Sequence, residues 1–237
     1  MSDAPEVSFV IPVFDEEAIL HAAVVDLRER LAPHALKYEI ILAENGSRDA
    51  TVAIAEQLCA RYPELRLERS PTPNYGQALR QGILRARGDF VICEEIDLCD
   101  VDFHLRALAL LRENRADFVV GSKLASGARD ERPPLRHALS LLYTRVLHLL
   151  FDFGGTDTHG LKAFRRSLVL PLVRACQIDR DVFASELVIR AYRAPVRVLE
   201  VPVRVLEKRP PSINLLDRVP GVVAGLWHLT WAIHRKR

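Results

Sequence analysis

A run of carboxylates that follows a short apolar stretch is the part of this sequence best suited to chemistry. Five acidic residues fall within nine positions, namely Glu94, Glu95, Asp97, Asp100 and Asp102. Negative charge concentrated where a buried strand emerges is unfavourable unless a cation lies close by. Glu95 and Asp97 are separated by one residue, so along a strand their side chains would point to the same face. Two carboxylates placed in this way can bind Mg²⁺ or Mn²⁺, which prefer oxygen ligands and complete their coordination with phosphate oxygens.

The segments around this run predict a sheet that positions it. Apolar, strand-like segments alternate with amphipathic helical segments through the first half of the chain. The strands are predicted at Val7–Phe14, Tyr38–Ala43, Leu65–Arg69, Asp89–Glu94 and Asp117–Val120. Such alternation is typical of an α/β fold with a mostly parallel central sheet and helices on both faces.

One edge of that sheet is the expected ligand site, because open parallel sheets bind ligands at the carboxyl ends of their strands. Five charged residues end or follow predicted strands and should meet there: Asp15, Glu44, Glu95, Asp97 and Lys123. Asn45 adds an amide that can read the donor and acceptor pattern of a nucleotide base or ribose. A solvated acidic loop is the alternative for the carboxylate run, but the convergence of strand ends favours the metal site.

The second half of the chain predicts a different order of elements. Helices are expected at Ala138–Phe151 and Phe183–Tyr192, and Leu161–Cys176 is expected to be largely helical. Val196–Leu206 has a strand pattern interrupted by Pro202, which favours an edge position. We expect one α/β domain over residues 1–212 and a C-terminal amphipathic helical segment over residues 213–237.

A polar loop at Gly154–Gly160 contains an acid, an imidazole and two hydroxyls within five residues. Asp157 and His159 are therefore candidate general bases, since a base must be a group of this type near the acceptor. Glu186, on the helix that follows Phe183, is a third candidate. A loop held together by local side-chain hydrogen bonds is the alternative interpretation.

Cations in loops could neutralise a diphosphate or bind the phosphate of an acceptor. The candidates are Lys123, Arg136, Lys208 and Arg209. Ordinary surface charge is the simpler explanation for any one of them.

The bulk properties exclude several classes of protein. The chain has 237 residues and a net charge of +2, which does not favour nucleic-acid binding. Its four cysteines form no CxxC pair, as expected for reduced thiols in the cytoplasm. The first residues resemble no signal peptide, and no apolar run reaches the roughly 20 residues that cross a bilayer. P-loop, G-x-S-x-G and G-x-G-x-x-G motifs do not occur.

The C-terminal segment combines a short apolar run with aromatic and basic residues. Pro220–Ile233 contains two tryptophans and precedes His-Arg-Lys-Arg. Fourteen residues are too few to span a bilayer, but this composition suits a helix lying in the headgroups of an anionic membrane. Docking on the core or on a second copy of the chain, as in a homodimer, is the alternative.

The motifs in series resemble those of family 2 glycosyltransferases of GT-A fold, in particular the polyprenol-phosphate sugar transferases. Ser8–Glu17 resembles the opening V-I-P-x-Y-N-E strand, and Leu42–Thr51 resembles the D-D-G-S-x-D-x-T turn. Asn74–Gly82 is similar to N-x-G-x-A-x-x-x-G, and Glu95-Ile-Asp97 stands in the place of D-x-D. Gly121–Lys123 resembles G-S-R, and Asp157–Arg166 resembles the D-x-x-x-G-F-R-x-F-x-R loop.

This resemblance implies inverting transfer of a sugar from a nucleotide-sugar, with GDP or UDP as the nucleotide. Glu95 and Asp97 would bind Mg²⁺ or Mn²⁺ and Asp97 would serve catalysis. The donor would contact Pro12, Asp15, Glu17, Glu44, Asn45, Gly76, Glu95, Ile96 and Asp97. A lipid-phosphate acceptor is already anionic and needs no strong base, so Lys123, Arg136, Lys208 and Arg209 would hold its phosphate. The enzyme would then be peripheral on the cytoplasmic face of the membrane.

Departures from the family pattern keep two alternatives open. D-D-G-S is replaced by Glu44-Asn45-Gly-Ser, D-x-D by Glu95-Ile-Asp97, and R-x-x-G-x-S-K by Lys208-Arg-Pro-Pro-Ser-Ile213. The acceptor could be a saccharide or another lipid, for which Asp157, His159 or Glu186 would act as base. The chain could also be a nucleotide-binding protein that has lost catalysis.

Overall fold

The computed structural model describes residues 4–180, 182–205 and 215–234, and it contains an α/β domain with a seven-stranded sheet. The predicted ligands Lys208 and Arg209 lie outside the described residues. In the first half the elements are β1 (Val7–Val13), α1 (Leu20–Leu31), β2 (Tyr38–Asn45), α2 (Thr51–Arg61), β3 (Leu65–Ser70), α3 (Tyr75–Arg85), β4 (Phe90–Cys93), α4 (Val101–Arg112) and β5 (Phe118–Ser122). A 3₁₀ turn, Ala32–His34, follows α1.

The second half adds the remaining strands and the two longest helices of the described chain. Its elements are β6 (Arg129–Asp130), α5 (Pro134–Phe151), β7 (Lys162–Arg165), α6 (Arg166–Ala175), α7 (Phe183–Arg193), β8 (Val198–Pro202), β9 (Arg204–Val205) and α8 (Leu215–His234). The short strands β6 and β9 form a separate two-stranded ribbon. Helix α8 lies within residues 213–237, where the sequence predicts a C-terminal helical segment.

The sheet order is β3-β2-β1-β4-β7-β5-β8, and every pairing is parallel except those of β7 with β4 and β5. The mostly parallel α/β prediction is therefore confirmed. The order of strands reverses between β1 and β4, since β2 and β3 lie on one side of β1 and β4 on the other. This reversal is a topological switch point, where open sheets bind ligands.

The prediction of a largely helical Leu161–Cys176 was wrong over its first part, because Lys162–Arg165 is the strand β7. This strand lies inside the sheet between β4 and β5, where Lys162 and Phe164 are buried. Four residues are too few to show a period, and the antiparallel partners that stabilise them are distant in sequence. The edge position of the strand with Pro202 is confirmed, since β8 ends the sheet.

Two apolar cores lie on the two faces of the sheet, as the period of two along each strand requires. On β4, Val91 and Cys93 face the core shared with α3 and α7, whereas Phe90 and Ile92 face the core shared with α1 and α4. Glu94 and Glu95, which follow β4, continue this alternation. Their side chains therefore point toward opposite faces of the sheet.

Candidate functional site

The carboxyl ends of the parallel strands bring the predicted residues to one edge of the sheet. Glu44 lies beside Val13 in the pairing of β1 with β2, and Asp15 follows β1 directly. Glu95 follows β4, and Lys123 follows β5. The edge therefore includes the switch point between β1 and β4.

The loop after β1 is tied to the loop after β2 by its acidic residues. The Asp15 carboxylate accepts from the Arg48 backbone N–H at 2.7 Å, and Glu17 accepts from that of Ala50 at 2.8 Å. The buried Glu44 accepts from the Ser47 backbone N–H at 2.5 Å. These bonds shape one wall of the edge, and contact of these acids with a nucleoside stays a prediction.

The start of α3 is joined to the same wall. The side chain of Asn45 accepts from the backbone N–H of Asn74, whose own side chain caps α3 by accepting from Gln77 N–H at 3.2 Å. A Cβ at Gly76 would lie 2.3 Å from the carbonyl oxygen of Arg180, so this glycine permits close packing of two backbone segments. Pro12 is buried within β1, between its two neighbouring strands. Donor contact by these residues remains a prediction.

Glu95 and Asp97 lie in a turn and not in a strand, so the argument that placed them on one strand face was wrong. Strand β4 ends at Cys93, and the backbone N–H groups of Leu98 and Cys99 both donate to the Glu95 carbonyl. Ile96 packs into the apolar core below this turn. The turn still leaves Glu95 and Asp97 half-buried at the same edge.

Glu95 lies in an environment that disfavours its charge. Burial is the main cause that raises its pKa to about 7, and the negative charges of Asp97 and Glu94 add to the rise. The Tyr75 hydroxyl, which donates to Glu95 Oε1 at 2.5 Å, and the Lys162 ammonium oppose it. A further cation close to this carboxylate would favour its charged form.

The donor set fits a divalent ion whose coordination the substrate completes. Among the residues that the structure describes, no group of three His, Cys, Asp or Glu side chains could hold a metal. Glu95 and Asp97 supply two carboxylates, which is the number that Mg²⁺ commonly takes beside substrate phosphates and water.

The loop before β7 supplies the other side of the edge. Asp157 is buried and accepts from the Lys123 ammonium at 2.6 Å and from the His159 backbone N–H at 2.9 Å. Burial alone would raise the pKa of Asp157, but Lys123 and these hydrogen bonds outweigh it and lower the pKa. Asp157 is thus a stable anion paired with Lys123, which is poorly suited to removing a proton.

Lys162 is a site residue that the sequence interpretation missed. It is 3% exposed at the start of β7, and its ammonium donates to the Gly160 carbonyl at 2.6 Å. Burial lowers its pKa, whereas Cys93, Asp157 and Glu95 raise it by their charge. The signal in the sequence was a lysine inside the apolar stretch Leu161–Phe164, which a surface helix does not explain.

His159 is the exposed titratable group of this loop. Its ring lies edge-on to Tyr143, with centroids 5.2 Å apart, and solvent reaches it. Desolvation of the ring, together with the charges of Lys123 and Lys162, lowers its pKa to about 4. His159 is therefore neutral at pH 7, but it is a weak base.

The structure does not bring Glu186 together with these residues. It is fully buried on α7, where it accepts from the backbone N–H groups of Gln177 and Ile178 and from the Arg190 guanidinium at 2.6 Å. Both oxygens are occupied, so its predicted role as a base is disfavoured. Arg136 lies half-buried in the first turn of α5, and its phosphate contact stays a prediction.

The chain belongs to glycosyl transferase family 2, whose family model matches residues 8–170. It is 29% identical over 234 residues to glycosyltransferase AglD of Haloferax volcanii, covering 96% of this chain and 37% of that protein. It is 27% identical over 210 residues to the dolichyl-phosphate β-glucosyltransferase ALG5C of Trichomonas vaginalis, covering 82% of this chain and 62% of that protein. The chain thus spans less than two thirds of either relative.

Solved structures confirm the GT-A fold. Glucosyl-3-phosphoglycerate synthase of Mycobacterium tuberculosis is similar with a TM-score of 0.65 and 20% identity, over 95% of this chain and 81% of that one. The same enzyme in complex with Mn²⁺ and UDP-glucose gives a TM-score of 0.65 at 18% identity, over 95% and 79%. Within the part of the chain that the structure describes, no helix is long and apolar enough to cross a membrane.

Proposed function

We propose that this protein transfers a sugar from a nucleotide-sugar to a polyprenyl phosphate, with inversion at the sugar carbon. The observation that carries the proposal is the meeting of Glu95, Asp97 and Lys162 with the Lys123–Asp157 pair at the edge that includes the switch point. Two carboxylates suit a metal–diphosphate, and two ammonium groups suit further phosphate oxygens. Membership of family 2 supports a sugar transferase.

On the donor side, Glu95 and Asp97 would hold Mg²⁺ or Mn²⁺, and the ion would neutralise the diphosphate leaving group. The fold relative that binds Mn²⁺ and UDP-glucose supports a divalent ion and a uridine nucleotide. GDP remains the other candidate nucleotide. Asp15, Glu17 and Glu44 form the wall against which we place the nucleoside.

On the acceptor side, Lys123 and Lys162 would attract an anionic phosphate, with Arg136, Lys208 and Arg209 as further candidates. A phosphate monoester oxygen is already negative, so the absence of an evident strong base at Asp157 agrees with such an acceptor. The relatives named dolichyl-phosphate β-glucosyltransferases support the same class.

A saccharide or other hydroxyl acceptor is the second candidate, and His159 favours it. This imidazole is exposed in the loop before β7, and its lowered pKa of about 4 makes it a neutral but weak base at pH 7. A neutral imidazole near the acceptor could remove a hydroxyl proton as attack proceeds.

Membrane-surface binding follows from a lipid acceptor, and the exposed apolar side chains of two helices support it. On α8, Trp227 is 74% and Trp231 53% exposed. Helix α5, which contacts α8, exposes Leu135, Leu142 and Leu149. Indoles and leucines on neighbouring helices suit insertion into the headgroup region, and we place the enzyme on the cytoplasmic face. A second copy of the chain could cover the same residues instead.

A ligand screen followed by a transfer assay tests the proposal. UDP- and GDP-sugars are added with Mn²⁺ or Mg²⁺, and the melting temperature is measured. A ligand at one hundred times its dissociation constant adds about 2.7 kcal/mol to the free energy of unfolding. The donor that binds is then incubated with undecaprenyl phosphate or with free sugars.

Each outcome has a definite meaning. Sugar transfer to the lipid phosphate supports the proposal, and transfer to a free sugar favours the second candidate. Binding without transfer or donor hydrolysis supports a nucleotide-binding protein that has lost catalysis. If no nucleotide-sugar raises the melting temperature, the proposed function is wrong.

A further inference from the structure

Beside the candidate metal ligands lies a buried pair of side chains that the proposed chemistry does not use. Glu94 and His104 are 2% and 0% exposed, and His104 Nε2 contacts Glu94 Oε2. Glu94 immediately follows β4, and His104 lies in the second turn of α4. The pair therefore connects the two ends of the segment that contains Glu95 and Asp97.

The period of two along β4 explains why two adjacent carboxylates have different surroundings. Glu94 continues the face of Phe90 and Ile92, toward α4, and Glu95 continues the face of Val91 and Cys93, toward Tyr75 of α3. The Glu94 backbone N–H donates to the Val10 carbonyl at 3.0 Å, which extends the pairing with β1 by one residue. The side chain of Glu94 is thus fixed below the turn, while that of Glu95 is presented at its edge.

The Glu94 carboxylate also contacts the turn itself. Its Oε1 accepts from the Glu95 backbone N–H at 3.3 Å, while Oε2 is held by His104. At the far end of the turn, Arg30 of α1 donates to the Cys99 carbonyl at 3.0 Å. Asp100 caps α4 by accepting from Phe103 N–H at 3.1 Å. The turn is thus bonded at both ends. At its first residue, the bond is made by the Glu94 carboxylate, which the His104 imidazole holds in place.

Stability alone does not account for this pair. Two polar groups in an apolar core are costly, and replacing a buried pair by apolar side chains of similar volume is often neutral or stabilising. The ring of His104 packs against that of Phe9, with centroids 4.9 Å apart. Its Nδ1 has no hydrogen-bond partner among the described residues, which adds to the cost. What the pair supplies, and apolar residues would not, is a fixed bond to the backbone of Glu95.

We propose that Glu94 and His104 are positioning residues that fix the Glu95–Asp97 turn in the geometry required for the metal–diphosphate. The consequence for donor binding rests on the proposed function, whereas the ordering of the turn does not. Loss of Glu94 removes the acceptor of the Glu95 N–H, and loss of His104 removes the side chain that holds this acceptor in place. Either change lets the turn move relative to α3 and α4.

Amide hydrogen exchange measures the ordering of the turn without any ligand. We expect the amides of residues 95–99 to exchange at least about tenfold faster in His104→Leu, in Glu94→Leu and in the double variant. His104→Gln, which retains a side-chain donor, should restore slow exchange. The double apolar variant should melt no lower than either single variant, so that faster exchange in it reports the turn and not global unfolding.

A matched control is Glu39→Leu, which removes another buried carboxylate at the opposite end of the sheet. Glu39 bonds Ser8, Arg66 and Arg87, and its loss should lower stability without faster exchange at residues 95–99. Unchanged exchange of these amides in the double variant would overturn the proposal, as would equal acceleration in Glu39→Leu.

Donor binding is measured separately, with UDP and Mn²⁺ as the probe in titration calorimetry. If the wild type binds, the double variant should bind at least about tenfold more weakly, and unchanged affinity would contradict the link to the donor. If the wild type binds neither UDP nor GDP, the proposed function fails, while the exchange result still decides whether the pair orders the turn.

Discussion

At the scale of single residues, the chemistry available at the carboxyl edge of the sheet depends on the position and surroundings of each charged group. Burial raises the pKa of Glu95, the Asp157 anion is paired with the Lys123 ammonium, and the buried Lys162 interacts with both carboxylates through its charge. Separate elements present these groups. Asp97 is half-buried, so its substitution tests a chemical role with less effect on packing than substitution of the buried Asp157 or Lys162.

Asp97→Asn should lower kcat/KM for sugar transfer by at least about a hundredfold, equivalent to about 2.7 kcal/mol, because a neutral amide binds a divalent ion weakly. Asp102→Asn is the matched control, since Asp102 belongs to the same acidic run but is exposed on α4 and pairs with Arg106. Steady-state kinetics with Mn²⁺ measures both variants. Full activity and metal dependence in Asp97→Asn would show that the metal ligands are assigned wrongly.

The affinity for Mn²⁺ should rise with pH across the neutral range. The pKa of Glu95 is raised to about 7 in the metal-free protein, so below that pH a proton competes with the ion. Calorimetric titrations with Mn²⁺ and UDP between pH 6 and pH 8 test this, with Glu95→Gln as the control that should lose the dependence. A flat profile in the wild type would mean that Glu95 is ionised throughout.

At the scale of elements, the carboxylates of Glu186 and Glu200 join separate segments of the second half of the chain by hydrogen bonds. The buried carboxylate of Glu186 joins α7 to the backbone of Gln177 and Ile178, and Arg190 links it to the Ala232 carbonyl of α8. Glu200 of β8 accepts from the Thr156 backbone N–H at 2.6 Å and so holds the loop that contains Asp157. These carboxylates support the site without facing it.

Glu186→Gln should therefore lower stability and not simply abolish catalysis. Removing one partner of a buried ion pair leaves the other without compensation and costs about 3 kcal/mol or more. Urea unfolding measures the loss, and Glu113→Gln, at an exposed acid near the end of α4, is the control expected to show none. A variant of unchanged stability with no activity would instead support Glu186 as a general base.

At the scale of the whole molecule, helices α5 and α8 carry a group of exposed apolar side chains. Trp227 and Trp231 project from α8, and Leu142 and Leu149 from α5. Exposed apolar side chains that are grouped on adjacent helices commonly mark an interaction surface, whereas single exposed apolar residues do not. Three basic residues follow α8 in the sequence, which favours an anionic membrane.

A Trp227→Ser, Trp231→Ser double variant should bind anionic liposomes at least about tenfold more weakly, since each large apolar side chain that is buried contributes about 1.5–3 kcal/mol. Vesicle co-sedimentation measures the affinity. Leu168→Ser is the matched control, because Leu168 is a 44% exposed apolar residue on α6. Undiminished binding by the double variant would exclude α8 as the membrane contact, and a change in oligomeric state would indicate a second copy.

The local patterns of the sequence were sufficient for the parallel strands, their helices and the edge at which Asp15, Glu44, Glu95 and Lys123 meet. These features depend on short periods and on the rule that parallel strands end at one edge. Family membership and the GT-A fold also followed from motifs that the sequence contains in order. The five strands predicted in the first half of the chain agree with the observed bounds to within a few residues.

Only the tertiary structure decided which carboxylate faces which element. Lys162–Arg165 is a strand because β4 and β5 pair with it from distant positions, and its lysine is thereby buried beneath the edge. Glu94 and Glu95 are adjacent in sequence, yet one is buried against His104 and the other bonds Tyr75. Glu186 has the chemistry of a base, but its backbone partners come from the loop before α7. The period of two turns adjacent side chains to opposite faces, but the partner that each one contacts depends on packing between elements that are distant in sequence.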